Sequence, residues 1–179
     1  MKSSPLKTIG SLLSIATVCL SLAAPSRATA QGNDNRAPEV PAAIHVPDGN
    51  KVHFHAYAEG VQIYSWNGTT WVFQAPEAVL FDADGNIVGI HYAGPTWESN
   101  SGSKVVGARI SSAASPNANS IPLLLLRAAA AEGPGIFART TYIRRVNPVG
   151  GIAPTGPGTS IGEEARIPYT AEYFFYRRQ

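Results

Sequence analysis

The sequence is almost without cysteine: Cys19 is the only one among 179 residues. It lies in an N-terminal segment that we expect to be removed, so the remaining chain would have neither a thiol nor a disulfide. That excludes thiol catalysis and metal sites with cysteine ligands. An exported domain of this kind must be stabilised by packing alone, since it lacks the usual cross-links.

An excess of charge of either sign is also missing. Lys2, Lys7 and Arg27 are among the 14 basic residues and precede residue 31, whereas none of the 12 acidic residues does, which leaves 11 basic against 12 acidic. A near-neutral balance gives no basis for nucleic acid binding. After residue 30 no run is long and apolar enough to predict a membrane span.

The N-terminal segment has the pattern of a secretory signal. Lys2 and Lys7 form a positive region, residues 9–24 are mostly apolar, and Ala28-Thr29-Ala30 matches a small-residue cleavage site. We therefore expect a cleaved signal peptide over residues 1–30 and a secreted, periplasmic or extracellular protein. Residues 31–43 are polar and proline-rich and are expected to be a disordered lead-in to a single domain at residues 44–179.

Short β-rich runs separated by turn residues predict an all-β fold. The turn sequences Asn67-Gly68 and Asp82–Asn86 each lie between two such runs, which is typical of β-hairpins. Residues 121–131 fit either a buried strand or a short helix. Further strands are expected at residues 51–57, 104–110, 140–146 and 171–177. Together with a glycine- and proline-rich loop at residues 150–162, the pattern indicates a single-domain antiparallel β-sandwich or barrel.

A Gly-Pro break at residues 94–95 forces the chain to turn within a cluster of aromatic and polar residues. Aromatic faces suit sugar rings or apolar ligands, and polar groups beside them can orient a ligand by hydrogen bonds. This favours a non-catalytic extracellular or envelope-associated module that binds a glycan or small amphipathic molecule without a cofactor. The candidate ligand-binding residues are His91, Tyr92, Trp97, Glu98, Trp66 and Trp71.

Two alternatives stay open. In the first, the protein is a secreted hydrolase with His91 and Glu98 as its acid/base pair. Glu77 and Glu172 also lie near aromatics, and two such carboxylates could face each other as glycoside hydrolysis requires. In the second, the protein is a structural envelope protein and the Gly-Pro-Thr-Trp run forms a corner of its core.

Three short motifs are weaker. His53, His55 and Glu59 have the H-x-H-x₃-E spacing of cupin metal sites, but a solvated strand face explains them better, so no metal is expected. Residues 158–162 match G-x-S-x-G without the strand and helix that a nucleophile elbow needs. Residues 82–86 begin like a calcium loop, but the glycine and glutamate needed further on are not there.

Several runs that follow one another along the chain resemble a known family. They are Gln62-Ile63-Tyr64, residues 91–98, 102–107 and 121–125, residues 141–146 and 150–154, and residues 168–173. In these runs the chain, from about Val61 to Tyr176, resembles the secreted bacterial and fungal family known as domain of unknown function 3455. Some fungal relatives carry a malate dehydrogenase label, but this sequence has no G-x-G-x-x-G motif opening a βαβ unit, so dinucleotide binding is not expected.

One departure from the family pattern is visible. Relatives often have a cysteine after the Gln-Ile-Tyr run and another after the Gly-Gly-x-Ala-Pro run. Here those places are near Trp66 and Gly156. If the two cysteines pair in relatives, this member lacks the bridge.

Overall fold

Eight strands run in sequence order around a closed barrel, each antiparallel to the next, and the last pairs with the first. The computed structural model describes residues 36–179, so the predicted signal peptide and Cys19 lie outside the described residues. The strands are β1 (Asn50–Trp66), β2 (Trp71–Phe81), β3 (Ile87–Tyr92), β4 (Thr96–Ser99), β5 (Lys104–Ala113), β6 (Leu123–Glu132), β7 (Tyr142–Gly150) and β8 (Glu164–Arg178). The predicted antiparallel all-β fold is confirmed, and it is a barrel.

Both predicted hairpins are present, and a side chain closes each turn. Between β1 and β2, Asn67 Oδ1 accepts a hydrogen bond from the backbone N–H of Thr70 at 2.8 Å. Between β2 and β3, Asp82 Oδ1 accepts from the backbone N–H of Asn86 at 2.9 Å. Such side-chain to backbone bonds fix a tight turn without help from the rest of the fold. Residues 82–86 are therefore a hairpin turn.

The leucine- and alanine-rich run that fitted either a strand or a helix is strand β6. Leu126 packs inside the barrel, whereas Leu123 and Leu125 pack on its outer face against the N-terminal segment. A strand covered on both faces has no polar side, so its sequence lacks the alternation of a half-buried strand. Strand β4, only four residues long, is not among the predicted strands.

Residues 36–49, here called the N-terminal strap, lie against the outer face of the barrel. Ile44 is fully buried beside two leucines of β6, and Arg144 NH1 donates a hydrogen bond to the Pro38 carbonyl at 3.3 Å. The structure thus differs from the predicted disordered lead-in over residues 36–43. The reason is that apolar side chains of the N-terminal strap pack on the outer faces of β6, β7 and β8, which would otherwise be exposed. No helix within residues 36–179 is long and apolar enough to cross a bilayer.

The two ends of the barrel are closed differently. At the end where β1 begins, Phe137 packs against Phe54 and Phe175, with ring centroids 5.9 and 4.6 Å apart. At the other end Gly151 covers the interior with a left-handed φ of 79°. A Cβ there would lie 3.0 Å from side-chain atoms of Gln62 and Tyr169, so only glycine fits without displacement. The polar part of the interior lies beneath this glycine.

Candidate functional site

The register between β3 and β4 divides the predicted cluster at the Gly-Pro turn. His91 pairs with Trp97, and the neighbouring pair is Ile90 with Glu98. Because successive side chains of a strand point to opposite faces, His91 and Trp97 face the barrel interior. Tyr92 and Glu98 face outward, where the Tyr92 hydroxyl donates to Glu98 Oε2 at 2.7 Å. The four residues therefore do not form one surface, and His91 and Glu98 lie on opposite faces of the sheet.

His91 is held inside the barrel as a neutral ring. Its Nδ1 lies 2.8 Å from the Thr96 carbonyl oxygen, so Nδ1 carries the proton and donates it. Burial lowers the His91 pKa to about 3; Arg145 acts in the same direction and the bond to Thr96 opposes both. The imidazole stacks on the indole of Trp97, with centroids 4.3 Å apart and planes at 7°. Its Nε2 is left as a hydrogen-bond acceptor.

Four polar atoms inside the barrel have no hydrogen-bond partner among the described residues. They are Gln62 Nε2, Trp97 Nε1, Tyr169 OH and Tyr173 OH, and we call these four residues the interior polar cluster. All four are at least nine-tenths buried. The Tyr169 hydroxyl lies close enough to the Tyr173 hydroxyl and the Gln62 amide for both groups to act on its pKa, although no hydrogen bond of normal geometry joins them. Burial raises the pKa of Tyr169, so its phenol is protonated.

The cost of leaving these atoms unpartnered is large. An unsatisfied buried polar group costs about 1–3 kcal/mol, whereas the whole net stability of a domain is about 5–15 kcal/mol. Four unpaired groups would therefore weaken the fold. Two arrangements would relieve this cost: hydrogen bonds among Gln62, Tyr169 and Tyr173, or hydrogen bonds from the interior polar cluster to a bound molecule.

Arg145 adds a positive charge to the same interior. It pairs across the β7–β8 ladder with Tyr173, so both side chains point inward. The guanidinium donates from Nε and NH2 to the Pro122 carbonyl at 3.2 and 2.9 Å. No carboxylate in residues 36–179 pairs with it, and no aspartate or glutamate of that range is buried.

An aromatic row continues the inward face of β1 beyond the barrel. Tyr64 and Trp66 follow Gln62 at alternate positions of the strand, so they share its face. Across the hairpin, Phe73 lies 5.7 Å from Tyr64 and Trp71 lies 5.5 Å from Trp66 between ring centroids. The two tryptophans are half-buried and Phe73 is exposed. Trp66 and Trp71 are thus brought together, but apart from the outward-facing residues at the Gly-Pro turn.

Residues 151–163, here called the mouth loop, lie across this aromatic row. The indole N–H of Trp71 donates to the Gly156 carbonyl at 2.8 Å. Gly158 packs so closely that an added Cβ would lie 2.6 Å from Cγ of Trp66. The Tyr64 hydroxyl donates to the carbonyl of the first loop residue at 2.7 Å. Contacts of Trp66 and Trp71 therefore join the β1–β2 hairpin to the mouth loop. These contacts lie near the two places where the family resemblance implies cysteines in relatives.

The three residues with cupin-like spacing do not converge. The β1–β8 register shifts between Val52 and Phe54, so His53 lies at an irregularity where strand alternation is broken. His53 Nε2 lies 3.3 Å from Thr140 Oγ1, and burial, with help from nearby arginines, lowers its pKa to about 4. His55 instead contacts Glu172, and Glu59 is exposed. Residues 36–179 contain no group of three His, Cys, Asp or Glu side chains placed to hold a metal.

The remaining candidate carboxylates have separate partners on the outer face. Glu77 binds Arg166 NH2 at 2.7 Å. Glu172 Oε2 accepts from His55 Nε2 at 2.9 Å, and the His55 ring stacks on Phe174 at 4.0 Å. Hydrogen bonding to His55 lowers the pKa of Glu172. Each carboxylate is thus engaged in its own local contact.

Four interior residues are not among the predicted site residues: Gln62, Arg145, Tyr169 and Tyr173. All four nevertheless lie in the runs that carry the family resemblance. For the two tyrosines a sequence signal exists: alternate residues of a strand share a face, so Tyr169 and Tyr173 in residues 168–173 fall on one face. No comparable pattern identifies Arg145, since its outward neighbour Arg144 is the same residue type.

The family comparison covers most of the described chain. The model of the family described as "Protein of unknown function (DUF3455)" matches residues 47–177, a range that holds the interior polar cluster, Arg145 and the mouth loop. No curated protein and no solved structure matches the chain at a significant level. Because the match covers well over half of the sequence, the chain belongs to the DUF3455 family.

Proposed function

We propose that this protein is an exported, non-catalytic binding module that holds a small ligand inside its barrel. The observation that carries the proposal is the interior polar cluster, whose four buried polar atoms have no partner among residues 36–179. Export rests on the predicted signal peptide. The ligand would bond to the cluster with its polar part and contact the aromatic row with its apolar part.

The number of strands in the barrel is compatible with one small ligand. An eight-stranded barrel encloses an interior that is either filled by side chains or holds a single small molecule. In this barrel the Phe137 end is filled by aromatic rings, whereas the end beneath Gly151 contains polar groups. An apolar wall with a few convergent polar groups is typical of small-molecule sites.

The mouth loop supplies a route for entry and exit. It covers the aromatic row through the hydrogen bonds from Tyr64 and Trp71 and the contact of Gly158 with Trp66. Backbone hydrogen bonds between Trp66 and residues Gly162 and Glu163 anchor the C-terminal end of the loop. The side-chain contacts can break without disturbing the barrel ladder, and loops that close over sites commonly move in this way. Ligand binding would therefore be accompanied by opening and closing of residues 151–163.

The same geometry gives less support to a hydrolase. General acid/base catalysis needs two titratable groups within reach of one substrate. His91 faces inward with Nδ1 engaged by Thr96, whereas Glu98 faces outward and accepts from Tyr92. A binding role requires only that the interior polar cluster form hydrogen bonds to a ligand, without a second titratable group beside His91.

A thermal-shift experiment with defined probes tests the proposal. The purified protein is heated with glucose, N-acetylglucosamine, hexanol, propionamide or propionate, alongside the variants Tyr173→Phe and Tyr176→Phe. A ligand at 100 times its Kd stabilises the folded state by about 2.7 kcal/mol, which is roughly 5–10 °C in Tm for a domain of this size. We expect at least one probe to raise the Tm of the wild type and of Tyr176→Phe, with a smaller rise in Tyr173→Phe.

Tyr176 is a matched control because it differs from Tyr173 mainly in the face it occupies. Both lie on β8, both are buried, and neither hydroxyl has a partner among the described residues. Tyr176 packs on the outer face, in the cluster under the N-terminal strap. If no probe shifts the Tm, or if both variants respond equally, the interior is not the binding site.

A further inference from the structure

The buried positive charge of Arg145 favours a negatively charged ligand. Arg145 is 7% exposed and its only described partner is a neutral carbonyl, that of Pro122. A buried guanidinium is costly unless a negative charge compensates it. No aspartate or glutamate within residues 36–179 is buried, so these residues place no carboxylate in the interior. A compensating charge would have to come from a bound molecule.

The unpartnered polar atoms inside the barrel are mainly donors. An indole N–H and an amide NH₂ can only donate, and each phenol can donate one proton. They belong to Trp97, Gln62, Tyr169 and Tyr173. A ligand that satisfies them must offer several acceptor lone pairs in a small volume, as the two oxygens of a carboxylate do.

Two of these groups, Tyr169 and Tyr173, are neighbours of the Arg145 guanidinium. Arg145 is directly opposite Tyr173 in the β7–β8 register, and its charge acts on both Tyr169 and His91. Gly151 covers the group from above, with Gln62 and Tyr169 in contact beneath it. Arg145, Tyr169 and Tyr173 therefore lie in the same part of the interior, and Gln62 is next to Tyr169 beneath Gly151.

His91 does not add a second positive charge. Its Nδ1–H is used by the Thr96 carbonyl, and the ring is stacked on Trp97 away from solvent. Because the His91 ring is neutral, Arg145 is the one cation that faces the barrel interior within residues 36–179. One cation matches one negative charge, so a monoanion is favoured over a dianion.

We infer that the barrel interior binds a small monocarboxylate, whose oxygens accept hydrogen bonds from Arg145, Tyr169 and Tyr173. This inference rests on the proposed binding function and specifies its ligand class. The apolar part of the acid would lie toward the aromatic row and the mouth loop.

Calorimetric titration tests this with pairs of probes that differ in charge alone. Acetate and propionate are titrated against the neutral amides acetamide and propionamide, into the purified protein at constant ionic strength. The variants are Arg145→Gln and, as the matched control, Arg144→Gln, its outward-facing neighbour on β7. Tryptophan fluorescence is followed in parallel, because Trp97 belongs to the site.

We expect the acids to bind and the amides to bind at least tenfold more weakly. Loss of the charged hydrogen bond in Arg145→Gln should weaken propionate binding by about 10- to 100-fold, whereas Arg144→Gln should change it less than twofold. If Arg145→Gln does not fold, Tyr169→Phe and Tyr173→Phe provide the test, since each removes one donor and keeps the ring.

The possible failures are distinguishable. If propionamide binds as tightly as propionate, or Arg145→Gln keeps full affinity, the monocarboxylate inference is wrong while the proposed binding function stands. If neither acids nor amides bind, and no sugar or alcohol binds in the thermal-shift experiment, both are wrong.

Discussion

The imidazole of His91 and the indole of Trp97 are stacked inside the barrel at 4.3 Å, directly opposite each other on β3 and β4. Tyr173 meets both rings edge-on, with centroids 5.1 and 5.3 Å away. The turn that brings the first two rings together is the Gly-Pro break at residues 94–95. The break thus positions interior side chains by setting the β3–β4 register.

Burial of His91 predicts that the protein loses stability in acid. The unfolded ring takes up a proton near pH 6.5, but the folded ring does so only near its lowered pKa of about 3. The unfolded state therefore binds more protons in this window, so the free energy of unfolding falls as pH falls from about 6.5 toward 3. By pH 4.5 this one group should account for about 2–3 kcal/mol.

Urea denaturation at pH 7.0 and pH 4.5 measures the effect in the wild type and in His91→Phe, which keeps an aromatic ring at the stack. The difference in unfolding free energy between the two pH values should be smaller in the variant. An equal difference in both proteins would show that His91 is not buried as a neutral ring.

The sequence indicates the fold better than it indicates the site, for a physical reason. Hairpin turns such as Asn67-Gly68 are determined by local backbone preferences, and these were correctly predicted. The inward or outward direction of a side chain depends on register with a distant strand. On β8 both faces are buried, since Phe175 packs inside and Phe174 packs on the outer face, so hydrophobicity does not tell them apart.

The division of the predicted cluster has the same cause. The β-rich run expected after the Asp82–Asn86 turn is strand β3, and strand alternation already separates His91 from Tyr92. The second half of the hairpin, β4, is too short to show alternation of its own. For that reason the cluster looked like a single surface at a turn, although the pairing places Trp97 inside and Glu98 outside.

Removing the Trp97 ring should cost the fold heavily. The residue is 1% exposed, and its ring packs over Gly107, where a Cβ would lie 3.0 Å from Cζ3. We expect Trp97→Ala to lower the unfolding free energy by roughly 3–5 kcal/mol, measured by urea denaturation at pH 7.0. A loss below about 1 kcal/mol would mean that the indole is not part of the core.

Removing the Tyr173 hydroxyl should not cost stability in the absence of ligand. No described residue bonds to it, so Tyr173→Phe breaks no intramolecular hydrogen bond and removes a buried polar group. We expect the unfolding free energy to stay unchanged or to rise, as in Tyr176→Phe. A drop of more than about 1 kcal/mol would indicate an internal partner for the hydroxyl, contrary to its assignment to the interior polar cluster.

Two glycines of the mouth loop provide a test of its closure. A Cβ at Gly158 would collide with the Trp66 indole, whereas one at Gly156 meets nothing within 4 Å. We expect Gly158→Ala to displace the loop, so that residues 151–163 are cleaved faster in limited proteolysis. Gly156→Ala should be cleaved at the wild-type rate, and equal cleavage of both variants would contradict the packing of the loop on Trp66.

A crystal structure of the protein grown in sodium propionate would show whether the polar atoms of the barrel interior bond to a bound molecule. We expect electron density for propionate inside the barrel, with its carboxylate within about 3 Å of Arg145 and the Tyr173 hydroxyl. An interior without ligand density, in which Gln62, Tyr169 and Tyr173 bond to one another, would contradict the proposed ligand site.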